Sequence, residues 1–108
     1  MIELSDILGE PALRGKPLSL GAAFPLLDMV AGRCAALFCN GSVVTGCFDD
    51  VSVENWLRHG DVVIAKAQVV AVGSSSMVVS IILYREVVRK RIRDNQVVIR
   101  YVYRISHI

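Results

Sequence analysis

LGAAFPLLDMVAGRCAALFC, residues 20–39, is apolar around almost its whole circumference, yet it carries one carboxylate, Asp28, near its start and one guanidinium, Arg33, further on. A stretch of this length is barely enough to cross a bilayer, and two charges within it argue against that use. It reads instead as a core helix from about Gly21 to about Phe38, in need of burial on nearly every side. Pro25 has no amide proton and belongs in a first turn, so the regular helix starts near Ala22 to Phe24. Asn40-Gly41 ends it.

The segments around this helix supply its cover. Residues 2–8 read as a short strand, and GEPALRGKPLS after them as a loop. Beyond the helix, β-branched residues dominate 42–53, 61–72, 76–88 and 96–105, separated by turn signals, which gives the order strand, helix, four strands. Alternation puts Met77, Val79, Ile81 and Leu83 on one face of the third of these, and one face must be core. In residues 62–71 one face is small (Val63, Ala65, Ala67, Val69, Ala71) and leaves room for a close neighbour. An antiparallel sheet of about five strands curling around a long central helix satisfies both patterns, an α+β domain. No repeat or composition break divides the chain, so residues 1–108 are expected to form a single domain.

With 54% hydrophobic residues in 108, the chain carries more apolar surface than one small core hides, so burial in a subunit interface is expected. The net charge of +2 does not favour a general nucleic-acid binder. In IRYVYRI the residues Val97, Ile99, Tyr101, Tyr103 and Ile105 share a face, which suits core or interface packing better than base stacking. Cys34, Cys39 and Cys47 are an odd number without histidines at ligand spacing, so no disulfide framework and no metal site are expected. They read as reduced thiols. The N-terminus lacks the basic and apolar regions of an export signal, and a cytoplasmic location is expected. His59 and His107 read as surface residues, and Asp49 and Asp50 as turn or edge acids.

Three stretches together resemble the hotdog-fold acyl-CoA thioesterases. LGAAFPLLDMVAG is similar to the family's glycine pair followed two turns later by an acid, with Gly21 as the second glycine and Leu20 where the first would be. VVTGCFDDVSVENWLRHGDVV resembles its strand, turn and Gly-Asp pair, and VVAVGSSSMVVSIILY its Val-Gly-Arg-Ser-Ser hairpin and following strand. The resemblance spans roughly Leu20 to Tyr84. It implies a helix wrapped by an antiparallel sheet, a homodimer formed by the strand after the helix, or a higher oligomer built from such dimers, and a catalytic role for Asp28.

Thioester hydrolysis needs an activated water or a carboxylate nucleophile, with donors aimed at the oxyanion that develops. Asp28 is the candidate base or nucleophile, and the Gly21 and Ala22 amides at the helix start are the candidate donors. Seven positions at ~1.5 Å each separate Gly21 from Asp28 by about 10 Å, too far to act on one thioester within a chain. The donors would then come from the other subunit. Gly32 leaves space beside the carboxylate. The structural alternative for Asp28 is a helix acid near the positive end of the dipole, or one paired with Arg33 or Lys16.

Where the family has its hairpin arginine this chain has Ser74. The basic run REVVRKRIRD, residues 85–94, offers Arg89, Lys90, Arg91 and Arg93 to a coenzyme A phosphate in its place, and Ser74, Ser75 and Ser76 offer hydroxyls. Otherwise the run is a solvated turn that guards a sheet edge. Two functions result: an acyl-CoA thioesterase with a composite site at a dimer interface, or a hotdog scaffold that binds an acyl ligand or protein partner without turnover. Neither needs a cofactor beyond coenzyme A as part of the substrate.

Overall fold

The computed structural model describes residues 1–39, 43–74, 76–89 and 92–107. In chain order the elements are β1 (Ile2–Ile7), β2 (Pro17–Leu18), α1 (Phe24–Cys39), β3 (Val43–Val53), β4 (Leu57–Arg58), β5 (Val62–Val72), β6 (Ser76–Arg89) and β7 (Ile92–His107). A five-stranded antiparallel sheet runs in the order β1-β5-β6-β7-β3, and β2 with β4 forms a separate two-stranded ladder. That ladder was not anticipated: it lies inside two segments read as loops, and ties the entry to α1 to the turn before β5.

The helix begins where Pro25 requires. A 3-10 turn, Leu20–Ala23, precedes α1, and Pro25 occupies the first turn, where its missing amide proton has no carbonyl to meet. Ala23 at the end of the 3-10 turn and, on one side of α1, Leu26, Leu27, Val30, Ala31, Cys34 and Ala35 are all buried against the sheet. The sheet's inner face answers with Val63, Ala65 and Ala67 on β5 and Met77, Val79, Ile81 and Leu83 on β6, all buried. The small β5 face lets the helix approach closely, as its composition implies.

Cover on every side is not what the single chain achieves. Asp28 and Arg33 lie exposed outside the buried side of α1, together with Met29 at 49% and Leu37 at 71% exposure. β3 lies at an open edge of the sheet, and Asp49 and Asp50 fall within this edge strand.

Bulges set the faces. β7 has one extra residue, Val98, between the pairs Leu83↔Ile99 and Tyr84↔Val97, so Val98 and Ile99 are both buried and Val97 leaves the core face. Of the expected single face from Val97 to Ile105, the described side chains hold it at Ile99, Tyr101 and Tyr103. A second break at Val70 ends the small face of β5, which leaves Ala71 exposed.

β6 and β7 outrun their neighbours. β5 pairs with β6 only as far as Arg85, and β3 with β7 only as far as Ile99, while the β6–β7 ladder continues to Arg89↔Ile92. Residues 86–89 and 92–95 thus form a two-stranded arm beyond the sheet. Apart from Lys90 and Arg91, which lie outside the described residues, the basic run belongs to the strands of this arm.

Candidate active site

Asp28 sits in the second turn of α1, exposed on the uncovered side. Among the described residues neither Arg33 nor Lys16 pairs with it. Its charge is felt across the helix–sheet contact. Tyr101, buried on β7 between Val51 of β3 and Ile81 of β6, has its phenol pushed well above the ordinary value, first by burial and then by the negative charge of Asp28. Tyr103 meets Tyr101 edge-on at 6.3 Å, and the two rings form the packed pair that alternation implies.

The two candidate donors lie in the 3-10 turn, exposed, and both are already engaged by Ser19. Gly21 N–H donates to Ser19 Oγ at 3.3 Å, and Ala22 N–H donates to Ser19 O at 3.1 Å. The second bond belongs to the turn itself. The first is long and can be released by rotating one hydroxyl, so Gly21 is the better donor of the two. A Cβ on Gly21 would meet nothing closer than 3.5 Å, so packing does not demand glycine here. A ~2 Å rise per residue in the 3-10 turn brings the axial separation from Asp28 to about 12 Å, which strengthens the conclusion that one chain's Gly21 and Asp28 do not share a thioester. A Cβ on Gly32 would meet nothing within 4 Å, which leaves the helix open one turn beyond the carboxylate.

The candidate phosphate ligands do not come together. Ser74 is exposed and Ser76 half-buried at the β5–β6 hairpin, closed by Gly73 N–H to Ser76 O at 2.7 Å. Arg89 ends β6 at the far side of the sheet. Ser75, Lys90 and Arg91 lie outside the described residues. The serines therefore cannot share a phosphate with the arm of the same chain.

His59 is not a free surface residue. Its Nδ1 accepts from Glu10 N–H at 2.9 Å, its own N–H donates to Lys16 O, and its carbonyl accepts from Gly15 N–H, so it staples the loop before β2 to the turn after β4. Next to it, Arg85 reaches from β6 to both sides of β4, with Nη1 donating to Trp56 O at 2.9 Å before that strand and lying 3.7 Å from Asp61 Oδ2 after it. Asp61 Oδ2 also accepts Arg58 N–H at 2.8 Å, which accounts for the Gly-Asp pair as a turn-forming device. Trp56, exposed in the segment between β3 and β4, stands between Asn55 and Leu57, and the sequence marks it only as the chain's single tryptophan.

A comparison with curated protein sequences finds no match. Solved structures match closely in shape. A hexameric hotdog-fold thioesterase of Campylobacter jejuni is 19% identical with a TM-score of 0.80, the match covering 97% of this chain and 80% of that one. The hexameric thioesterase y2039 of Yersinia pestis is 21% identical with a TM-score of 0.78, over 97% and 84%. An acyl-CoA hydrolase of Staphylococcus aureus, solved with butyryl coenzyme A, coenzyme A and coenzyme A disulfide, is 19% identical with a TM-score of 0.83, over 99% and 65%. At these identities the likeness establishes the hotdog fold. The sequence adds the lineage: residues 18–92, from β2 to the start of β7, match the model of the thioesterase superfamily, and the chain belongs to that superfamily.

Proposed function

We propose that the protein hydrolyses an acyl-CoA thioester at a site shared by two copies of the chain, with Asp28 from one and Gly21 from the other. The observation that carries this reading is Asp28 itself, a carboxylate without an ion-pair partner among the described residues, on a helix side that is otherwise largely apolar and uncovered. A homodimer joined along the β3 edge, alone or within a larger assembly, is the simplest way to bring a second copy near it.

In this reading the thioester carbonyl accepts from the Gly21 amide, with Ala22 beside it. Asp28 of the other copy takes a proton from the attacking water as the C–O bond forms. The proton then passes to the leaving thiolate as the C–S bond breaks, giving a carboxylic acid and free coenzyme A. Direct attack by Asp28 through a mixed anhydride is the variant route. The Staphylococcus aureus hydrolase has also been solved with an aspartate, and separately with a threonine 17 positions later, replaced by alanine. Here Thr45, on β3, stands at that same interval after Asp28, which supports the placement of Asp28 and adds Thr45 as a candidate.

A scaffold that binds without turnover is favoured by one observation, the capture of both donor amides by Ser19. Cys34, a buried free thiol, suits a reducing location such as the cytoplasm. Purified protein assayed against acyl-CoA thioesters of varied chain length separates the two readings. Hydrolysis is expected for the wild type, with turnover reduced about 10²–10⁴-fold in Asp28→Asn at an unchanged Tm. Absence of turnover on every thioester would leave the scaffold.

A further inference from the structure

Trp56 is the chain's single tryptophan and is 76% exposed. The backbone around it is held from several directions: Arg85 donates to Trp56 O, Asn55 Nδ2 donates to Val97 O at 2.6 Å, Glu54 N–H donates to Val98 O at 2.8 Å, and Leu57 pairs with Leu18 in the small ladder. A large aromatic side chain on so fixed a frame, left in water, is a surface prepared for a flat apolar group. It borders a groove of about 310 Å³ whose other walls are Pro17, Leu18, Leu57 and Arg58.

Two features define the occupant. The first is position: Leu18 stands three residues before Gly21, so the groove runs up to the turn that would hold the thioester carbonyl. The second is charge. Lys16 and Arg58 flank the groove with no ion-pair partner among the described residues, Arg58 donating through Nη1 to Gly15 O, whereas two acids of the same end, Glu54 and Asp61, are matched by Arg100 and Arg85. The basic arm starts from this end of the sheet as well, at Arg85. An aromatic platform amid unmatched cations suits a nucleobase that carries phosphates.

We propose that Trp56 is the stacking platform for the adenine of coenzyme A, with Lys16 and Arg58 supplying charge to its phosphates. The proposal rests on the thioester reading above and narrows it: the protein selects carriers that end in a nucleotide over protein-bound pantetheine, which has no adenine.

Because the chain has no other tryptophan, its fluorescence reports this site alone. Adenosine 3′,5′-bisphosphate and free coenzyme A should quench it saturably, and pantetheine should not. In turnover, Trp56→Ala should raise KM for acyl-CoA about tenfold at unchanged kcat, Trp56→Phe should raise it less, and neither should alter KM for the matching acyl-pantetheine. Quenching needs no hydrolysis, so the two readings fail separately. An inactive protein that is still quenched by the bisphosphate retains the platform and loses the hydrolase, whereas an active protein whose tryptophan ignores the bisphosphate loses the platform alone. Equal quenching by pantetheine overturns the proposal. So does a blue shift that grows with protein concentration in the absence of nucleotide, since a second copy would then cover the ring.

Discussion

Ser76 opens β6 and Arg89 closes it, so the serine hairpin and the basic run stand at opposite ends of one strand, about 40 Å apart at ~3.3 Å per residue. The two candidate phosphate sites are therefore alternatives within a chain and not halves of one site. With the thioester read at Gly21, α1 favours the arm. Its N-terminal turn, with Gly21, follows β2, which pairs with β4 close to the root of the arm, while its C-terminal half, at Cys34 and Leu37, shares a cavity with Gln68 and Val69 toward the serine end.

Neutralising Arg89 and Arg91 to Gln should accordingly weaken coenzyme A binding and flatten its dependence on salt, while Ser74→Ala with Ser76→Ala leaves both unchanged. Calorimetric titrations at two ionic strengths test this. The reverse result would move the phosphate to the serine hairpin.

How much of this was legible beforehand depended on what sets each feature. The core face of β6 follows from alternation, so Met77 and Leu83 could be placed from residue type alone, whereas α1 is apolar around almost its whole circumference and its buried side, with Leu27 and Val30, is fixed only by the sheet it meets. The bulge at Val98 could not, because a valine there fits a regular strand equally well and the extra residue is fixed only by pairing with β6. The arm was hidden for the opposite reason: its charges suggest a turn, and only the β6–β7 register shows that the strands continue as far as Arg89 and resume at Ile92. Asp28 stood out as a charge in an apolar run. The engagement of Gly21 and Ala22 was signalled by Ser19, a residue type that favours the N-cap position, just before the glycine.

Gly9→Ala should be among the most destabilising small substitutions in the molecule. Its φ is +86°, and an added Cβ would lie 2.8 Å from His59 Cα and 2.5 Å from Nδ1, against a backbone that cannot yield without breaking the His59 staple. A loss of about 2–3 kcal/mol is expected. Gly15→Ala shares the positive φ but meets nothing within 4 Å, so it should cost about 1 kcal/mol. Parallel denaturation curves compare them, and equal losses would show that His59 is not the obstacle.

Stability should fall as pH rises above 9. Burial raises the Cys34 thiol above its ordinary 9.0 and, with Asp28 and Tyr103, raises the Tyr101 phenol above 10.0. Both groups are acids neutral when protonated, so above those ordinary values the unfolded chain loses the proton first and binds fewer protons than the native one. Stability is then full below about pH 9 and declines as pH passes through the unfolded values. Tyr101→Phe should remove part of the decline above pH 10, read from urea midpoints across pH. An identical slope in the variant would mean that the phenol ionises as readily folded as unfolded.

Whether two chains share one site can be decided by mixing inactive variants. Asp28→Asn keeps the shape of the carboxylate but removes the base, and Gly21→Pro removes the amide proton now given to Ser19 Oγ. Each variant alone should have lost most of its turnover while remaining folded. When the two are unfolded together and reassembled, half of the dimers contain one chain of each kind. In such a dimer one site draws Asp28 from the proline chain and Gly21 from the asparagine chain, and is intact, while the other site is doubly defective. Turnover should therefore recover to roughly a quarter of the wild-type value if subunits assort at random. A site contained within one chain has no intact copy in any combination, and the mixture would stay as inactive as its components. Sedimentation of the same samples should show dimers or larger assemblies and no stable monomer at micromolar concentration, since the uncovered side of α1 and the open β3 edge both need cover. Recovery near a quarter assigns Asp28 and Gly21 to opposite chains. A fully active Asp28→Asn would remove the carboxylate from the reaction before the mixing experiment begins.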